Sequence, residues 1–305
     1  MTPPLLQLIP LTAAVENRLA ASYTVHRAWP AAGELARIGA VVTNGSAGLS
    51  AQEMARLPAL RLVHAFGAGV ENVDVAAAHA RGIAVTHAPG MNDATVADHA
   101  LGLMLALARG YGALDAAVRA GRWQQVRNER PTLSGARAGV IGLGNIGAKI
   151  AARCAAFDMR VSYHTRMSKA EVPWQHAPDL LAMARESDFL IVACPGGPAT
   201  RHLVNAAVLE ALGPQGYLVN IARGSVVDTG ALTSALLEGR IAGAGLDVIE
   251  NEPEIPPALL ESERVLFTPH IAGRSPAAIA AQSDLLLANL AACFAGRDLR
   301  HAIAA

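Results

Sequence analysis

Three glycines, Gly142, Gly144 and Gly147, close a short apolar run (Ala138 to Ile141) and open a stretch of helix formers, Ala148 to Phe157. A strand-like run ending in G-x-G-x-x-G leaves a chain few folds to choose from. The first glycine permits a tight strand-to-helix turn, the second lets backbone approach a pyrophosphate, and the third lets the helix pack closely on its strand. The helix N-terminus then favours the anion. The flanking strand and helix separate this segment from an ordinary glycine loop. With Asn145 and Ile146 at the helix start, it predicts a dinucleotide-binding unit.

A length of 305 residues suggests about two domains, each with its own core. The 25 basic and 25 acidic residues cancel and form no run of one sign, which argues against a nucleic-acid or polybasic membrane surface. The longest apolar helical candidate, Ala94 to Ala108, contains Asp98 and His99 and is not read as a membrane span. No charged segment leads into an apolar one at the N-terminus, so no secretory signal is expected. Cys154, Cys194 and Cys293 are odd in number and lack metal spacing, as expected of buried thiols in a reducing cytoplasm. His26, His64, His79, His87, His164, His176, His202 and His301 show no ligand spacing, and no metal site is expected. His99, near Val96, is a candidate for lining a cleft.

Before the glycine motif, Leu5 to Ile9, Gly39 to Thr43, Leu62 to Phe66 and Ile83 to Thr86 read as buried parallel strands. Segments of helix length, such as Ser50 to Arg56 and Val75 to Arg81, separate them. Asn92 to Arg109 reads as a long helix with Asn92 or Asp93 as its cap, and Arg122 to Ser134 as a surface loop. Six further strands follow: Ala138 to Ile141, Arg160 to Tyr163, Phe189 to Ala193, Tyr217 to Ile221, Gly243 to Leu246 and Val265 to Phe267. Six is the number a doubly wound dinucleotide fold uses. The last helix, Ser275 to Phe294, is expected to cross back to the first domain. The predicted division is therefore a substrate domain of residues 1–95 plus 285–305 and a dinucleotide domain of residues 96–284.

A dinucleotide without a 2′-phosphate places its ribose on an acidic residue about 20 positions after the fingerprint. Here the second strand ends Tyr163-His164-Thr165-Arg166-Met167-Ser168-Lys169, with no carboxylate. Thr165, Arg166 and Lys169 offer a hydroxyl and two cations, the chemistry a 2′-phosphate wants. The alternative is that the two cations are solvated loop charges. The reading favours NADP(H), with NAD(H) second.

Three later strands end in loops that carry charge: Asn220-Ile221-Ala222-Arg223-Gly224, Asp247 to Pro253, and Thr268-Pro269-His270-Ile271-Ala272-Gly273. Loops at strand carboxyl ends line the ligand crevice of an open α/β sheet. Hydride transfer to a ketone needs a cation for the substrate's carboxylate and carbonyl, a proton donor titrating near neutrality, and a partner that keeps the donor protonated. Arg223, His270 and Glu252 supply these roles, although each taken singly is an ordinary residue.

In these motifs the sequence resembles the D-isomer-specific 2-hydroxyacid dehydrogenases along essentially its whole length. The family spaces an Arg, a Glu and a His like Arg223, Glu252 (29 on) and His270 (18 further), in the same words N-I-A-R-G, G-L-D-V-x-E-x-E-P and P-H-I. The resemblance implies two Rossmann-like α/β domains, one flavodoxin-like for substrate and one for the dinucleotide, with parallel sheets, a cleft between them and closure about a hinge. It makes His270 the general acid, Glu252 its partner, and Arg223 the group that binds carboxylate and carbonyl. Ala68 and Gly69, in Phe66-Gly67-Ala68-Gly69-Val70, would hold the carboxylate through backbone N–H groups; Gly67 and Gly69 could instead be simple turn residues. Thr95, Val96 and Asp98 match a helix start facing the cofactor, although Asp98 could serve only that helix's first turn. Asp247 matches the residue that meets the nicotinamide amide, with a loop cap as the alternative. Cys194-Pro195, followed by Gly196-Gly197 in place of a polar pair, matches the segment over the adenosine. Ile221, Ala222, His270 and Gly273 complete the implied cofactor contacts.

T-R-x-x-K, A-C-P and A-L-G-P-x-G point to the hydroxyphenylpyruvate, glyoxylate and hydroxypyruvate reductases within that family. The implied reaction is NAD(P)H-dependent reduction of a small 2-oxoacid to the D-2-hydroxyacid, by a cytoplasmic homodimer. Formate dehydrogenase is the nearest alternative, but it has glutamine where Glu252 stands. A non-catalytic dinucleotide-sensing regulator could keep all three residues; against it, the chain has no additional tails for partner binding.

Overall fold

The computed structural model describes residues 3–304. The chain packs into two compact units, one running up to Asn92 and resuming at Arg274, the other Asp93–Gly273.

In the first unit, β1 (Leu5–Gln7), β2 (Val25–His26), β3 (Ala40–Thr43), β4 (Leu62–Ala65) and β5 (Ala84–Thr86) form a parallel sheet in the order β2-β1-β3-β4-β5. Alternate side chains divide between its faces. Leu6, Val41, Val63 and Val85 join Ile38, Met54 and Leu57 on one, while Leu5, Ala40, Val42 and Leu62 join Leu286, Leu290 and Cys293 on the other. Both faces are buried, so β1, β3 and β4 read as apolar runs rather than as alternating ones. The helix Ala51–Ala55 is closed at Ser50 by a reciprocal pair of hydrogen bonds with Glu53.

The returning helix Pro276–Phe294 supplies Leu286 and Leu290. By length and composition it could cross a membrane, a property not expected of any segment. Its Leu285, Leu286, Leu290 and Cys293 are buried, as in a core helix. The expected boundaries shift with it. Ile279 already packs against the first unit's core, so the second break falls ahead of the helix rather than at residue 285. The first break falls at Asn92, which leaves the helix Asp93–Arg109 whole in the second unit.

Inside the first sheet, His64 is fully buried, with Nδ1 2.8 Å from the Thr86 hydroxyl. Burial pushes its pKa down to about 3, helped by the nearby His87. An unfolded chain takes up this proton near pH 6.5 and the folded one does not, so stability falls as pH drops from 6.5 toward 3. The slope is about 1.4 kcal/mol per pH unit. His64→Leu is expected to remove that increment: between pH 6.5 and 4 the urea midpoint of the variant should fall less steeply than that of the parent. Parallel curves would contradict it.

In the second unit, β6 (Arg137–Ile141), β7 (Arg160–His164), β8 (Gln175–His176), β9 (Phe189–Val192), β10 (Tyr217–Asn220), β11 (Gly243–Leu246) and β12 (Val265–Phe267) run parallel in the order β12-β11-β10-β9-β6-β7-β8. Seven strands replace the six expected, the addition being the two-residue edge strand β8. The chain winds outward from β6 to β8 and then restarts on the other side at β9, which makes the β6 and β9 carboxyl ends the topological switch point. One core joins Val140, Phe189, Ile191 and Val219 to Val96, Ala100 and Met104 of the helix Asp93–Arg109; the other joins Leu190, Val192, Leu218 and Leu246 to Leu209 and Leu236.

Candidate active site

The turn after β6 has the tightness its glycines promise. Gly142 sits at φ 91°, and a Cβ there would lie 2.6 Å from the Cys194 Cα, where the loop after β9 passes. A Cβ on Gly147 would lie 2.0 Å from the Gly142 carbonyl oxygen. Gly144 differs: a Cβ there would have open space, and no side chain caps the helix Asn145–Ala156 that starts behind it. The first amides of a helix have no partner within it. Open amides at a helix N-terminus on the switch point fit the pyrophosphate of a dinucleotide.

The loop after β7 folds back on this turn. The Gly142 N–H donates to the His164 carbonyl (2.9 Å), and Lys169 Nζ donates to the Leu143 carbonyl (2.5 Å). The Thr165 hydroxyl donates to the Met167 carbonyl, while its own carbonyl accepts from His176 Nε2 (3.0 Å). Arg166 is exposed. Two predicted phosphate contacts thus have protein partners, Lys169 in the glycine turn itself and Thr165 within its own loop. Val96 is buried in the core, and Asp98 pairs with Arg153 at 2.6 Å, joining two helices. Cys194 is buried, which pushes its thiol up to about 11; Pro195 beside it is exposed.

The predicted catalytic residues lie at the carboxyl ends of β10, β11 and β12. Asn220, 1% exposed, shapes the first turn: its Oδ1 accepts from the Ala222 N–H (3.1 Å) and its Nδ2 donates to the Arg223 carbonyl (3.0 Å). Ile221 and Ala222 are buried and Arg223 is half-buried. Gly224 packs so tightly on the next loop that a Cβ would lie 1.9 Å from the Ile249 carbonyl carbon. That loop holds Glu252 through the Ile249 N–H, which donates to Oε1 at 3.1 Å. Glu252 Oε2 lies 2.8 Å from His270 Nδ1. The carboxylate can only accept, so Nδ1 carries the proton of this bond and Nε2 is the nitrogen left for other chemistry. The side chains are 40% and 32% exposed for His270 and Glu252.

The backbone of His270 is left-handed, at φ 51°, a conformation that costs a non-glycine residue about 1–2 kcal/mol. Asp247 offsets that cost. Its carbonyl accepts from the His270 N–H (2.9 Å), its Oδ1 from the Ile271 N–H (2.9 Å) and its Oδ2 from the Ala272 N–H (3.0 Å). Gly273, half-buried, follows. The Asp247 side chain, read from sequence as a cofactor contact, also organises the His270 loop.

Glu250 was not singled out from the sequence. It is gripped by Arg201 (2.8 Å) and by His202 Nε2 (3.0 Å), anchoring the loop that presents Glu252. Its place in the D-V-x-E-x-E-P word was the available signal. Among the described residues no cluster of His, Cys, Asp or Glu could hold a metal ion.

In the first unit, Phe66 leads into Gly67 at φ 130°. The Gly67 carbonyl accepts from the Ala88 N–H (2.7 Å) and that of Ala68 from His87 Nδ1 (2.8 Å). Among the described residues the amides of Ala68 and Gly69 donate to no backbone carbonyl, which suits them to an anion. A cavity of about 90 Å³, lined in part by Leu11, Asn44, Phe66 and Arg274, opens at the carboxyl ends of β1, β3 and β4.

Comparison with known proteins identifies the family. Residues 101–272 match the family model described as the NAD binding domain of D-isomer specific 2-hydroxyacid dehydrogenase. The chain is 40% identical to glyoxylate/hydroxypyruvate reductase A of Arabidopsis thaliana over 302 residues, covering 96% of each chain. It is 39% identical to hydroxyphenylpyruvate reductase of Plectranthus scutellarioides, again over 96% of each. Among solved structures, the NADPH-dependent glyoxylate/hydroxypyruvate reductase of Sinorhizobium meliloti in complex with NADP and malonate superposes with a TM-score of 0.92 at 38% identity, covering 100% of this chain and 97% of that one. Matched through most of its second unit by the family model and along nearly all its length by these reductases, the chain belongs to the D-isomer-specific 2-hydroxyacid dehydrogenase family.

Proposed function

We propose that the protein reduces a small 2-oxoacid to the D-2-hydroxyacid with NADPH, which it prefers to NADH, and that His270 is the proton donor. The observation that carries the reading is the 2.8 Å bond from His270 Nδ1 to Glu252, on a loop end next to that of Arg223. The bound nicotinamide supplies the hydride to the carbonyl carbon. As the carbonyl electron pair moves onto oxygen, His270 gives that oxygen its Nε2 proton, and Glu252 holds the ring and the Nδ1 proton in place. Arg223 steadies the carboxylate and the developing oxyanion. The open amides of Ala68 and Gly69 take the carboxylate.

Reductases of glyoxylate, hydroxypyruvate and hydroxyphenylpyruvate among the relatives support the substrate class, and the NADP-bound neighbour supports the cofactor. The absence of a carboxylate after β7 and the exposed Arg166 point the same way. A homodimer in the cytoplasm belongs to the same reading. The family resemblance carries the first, and three buried free thiols fit the second.

Arg166→Ala tests activity and cofactor together. With glyoxylate and hydroxypyruvate as substrates, the parent should consume NADPH at a higher kcat/KM than NADH. The variant should raise the KM for NADPH by roughly 10- to 100-fold, the worth of a charge-assisted hydrogen bond, with little change for NADH. Equal losses with both cofactors would show that Arg166 does not read the phosphate.

A further inference from the structure

The proposed reaction leaves His99 without a task, yet its ring is aimed at the proton donor's supports. It stands in the helix Asp93–Arg109, with 22% of its side chain exposed. Its Nε2 lies 2.9 Å from the Thr268 hydroxyl and 3.6 Å from Asp247 Oδ1. The Thr268 hydroxyl in turn lies 2.6 Å from the same Asp247 oxygen. The proton inventory fixes the direction of this chain. A carboxylate only accepts, so the single hydroxyl proton of Thr268 goes to Asp247, and the threonine oxygen accepts the Nε2 proton of His99. Asp247 is 3% exposed, and its two carboxylate oxygens also hold the amides of Ile271 and Ala272. A residue on a helix thereby sets the hydroxyl that sets the carboxylate on which the His270 loop is wound.

We propose that His99 is a positioning residue for His270, acting through Thr268 and Asp247. The inference rests on the reading of His270 as proton donor. Without the His99 proton, Thr268 loses the partner that orients its hydroxyl, and Asp247 loses a donor that fixes its carboxylate rotamer. The left-handed backbone at His270 persists only while its surroundings over-determine it. Once loosened, it lets the imidazole swing off Glu252, and the reacting proton is misplaced. The pyrophosphate contact of NADPH, read at the glycine turn after β6, is left alone, so cofactor affinity should change far less than kcat.

The test compares His99→Leu, His99→Gln, Thr268→Val and the double variant His99→Leu/Thr268→Val with the parent and with His270→Ala. Gln carries an amide N–H at about the reach of the imidazole Nε2, and Val keeps the shape of Thr without its hydroxyl. His99→Leu and Thr268→Val are each expected to lower kcat about tenfold, with the KM for NADPH within about twofold. His99→Gln should recover most of the loss. The double variant should be no slower than either single one, because both remove the same link. A purely structural role would lower thermal stability without the kcat-against-KM split and without rescue by Gln. If His270→Ala is nearly inactive while His99→Leu keeps kcat within twofold, the positioning role alone is overturned. If His270→Ala retains kcat, the proton-donor reading falls, and this inference with it.

Discussion

His270→Ala is expected to lower kcat on the order of 10²-fold or more, the usual worth of a positioned general acid. The loss should appear mainly in kcat, with a smaller effect on cofactor affinity, because the pyrophosphate is read elsewhere. His270 reaches Glu252 from the loop after β12, whereas the pyrophosphate is proposed to bind the turn after β6. Alanine removes the proposed proton donor and leaves the backbone scaffold intact, since the amides of residues 270, 271 and 272 still end on Asp247. The variant should therefore fold, bind NADPH and transfer hydride slowly. Stopped-flow single turnover separates these steps: a fast binding phase and a slowed chemical phase are expected. A chemical phase as fast as the parent's would remove His270 from the mechanism.

Gly224→Ala is expected to be nearly as damaging, although Gly224 touches no substrate. Space, not backbone freedom, makes glycine necessary here, since the position is not in the left-handed region. A methyl group would sit 1.9 Å from the Ile249 carbonyl carbon and 2.2 Å from the Glu250 nitrogen, so two backbone segments must part. Arg223 precedes one segment, and the Ile249 N–H on the other holds Glu252. Overpacking of this kind costs about 1–3 kcal/mol of stability. A displacement near 1 Å at a site can cost 10²-fold in rate. We expect kcat/KM for the 2-oxoacid to fall by about 10²-fold in a protein that still melts cooperatively and still binds NADPH within a few-fold of the parent. A folded variant with unchanged kcat/KM would show that the two loops move independently.

Much of this was legible in the sequence because parallel strands buried on both faces are continuous apolar runs. The ten strands expected were found, most within a residue of their ends. The two missed, Val25–His26 and Gln175–His176, are two-residue edge strands with only one neighbour each, so no apolar run marks them. The helix Tyr111–Arg119 carries a sequence signal, with Tyr111, Leu114 and Val118 at i, i+3 and i+7, although it buries only Ala117 and leaves Tyr111 and Val118 exposed.

At the proposed site, Arg223, Glu252 and His270 stand out in the sequence because each belongs to a short word at the end of a strand. The contacts that aim them do not stand out in this way. Thr268 meets His99 across 169 positions of sequence, and Gly224 presses on a peptide 25 positions away. Such pairings arise only when elements distant in sequence pack together, a helix against a strand end for His99 and Thr268, and two neighbouring strands of the sheet for Gly224 and Ile249. The exposed cation Arg166 was legible by composition alone, whereas the turn of Lys169 onto the Leu143 carbonyl depends on a fold-back that spacing does not encode.

The most direct test of the account follows the nicotinamide absorbance band as purified protein meets NADPH, and separately NADH, across glyoxylate, hydroxypyruvate, phenylpyruvate and 4-hydroxyphenylpyruvate. The account predicts oxidation of NADPH in preference to NADH with at least one of these acids, the D-hydroxyacid accumulating in equal amount. Tight NADPH binding with no oxidation by any of the four would contradict it and favour a dinucleotide-sensing role.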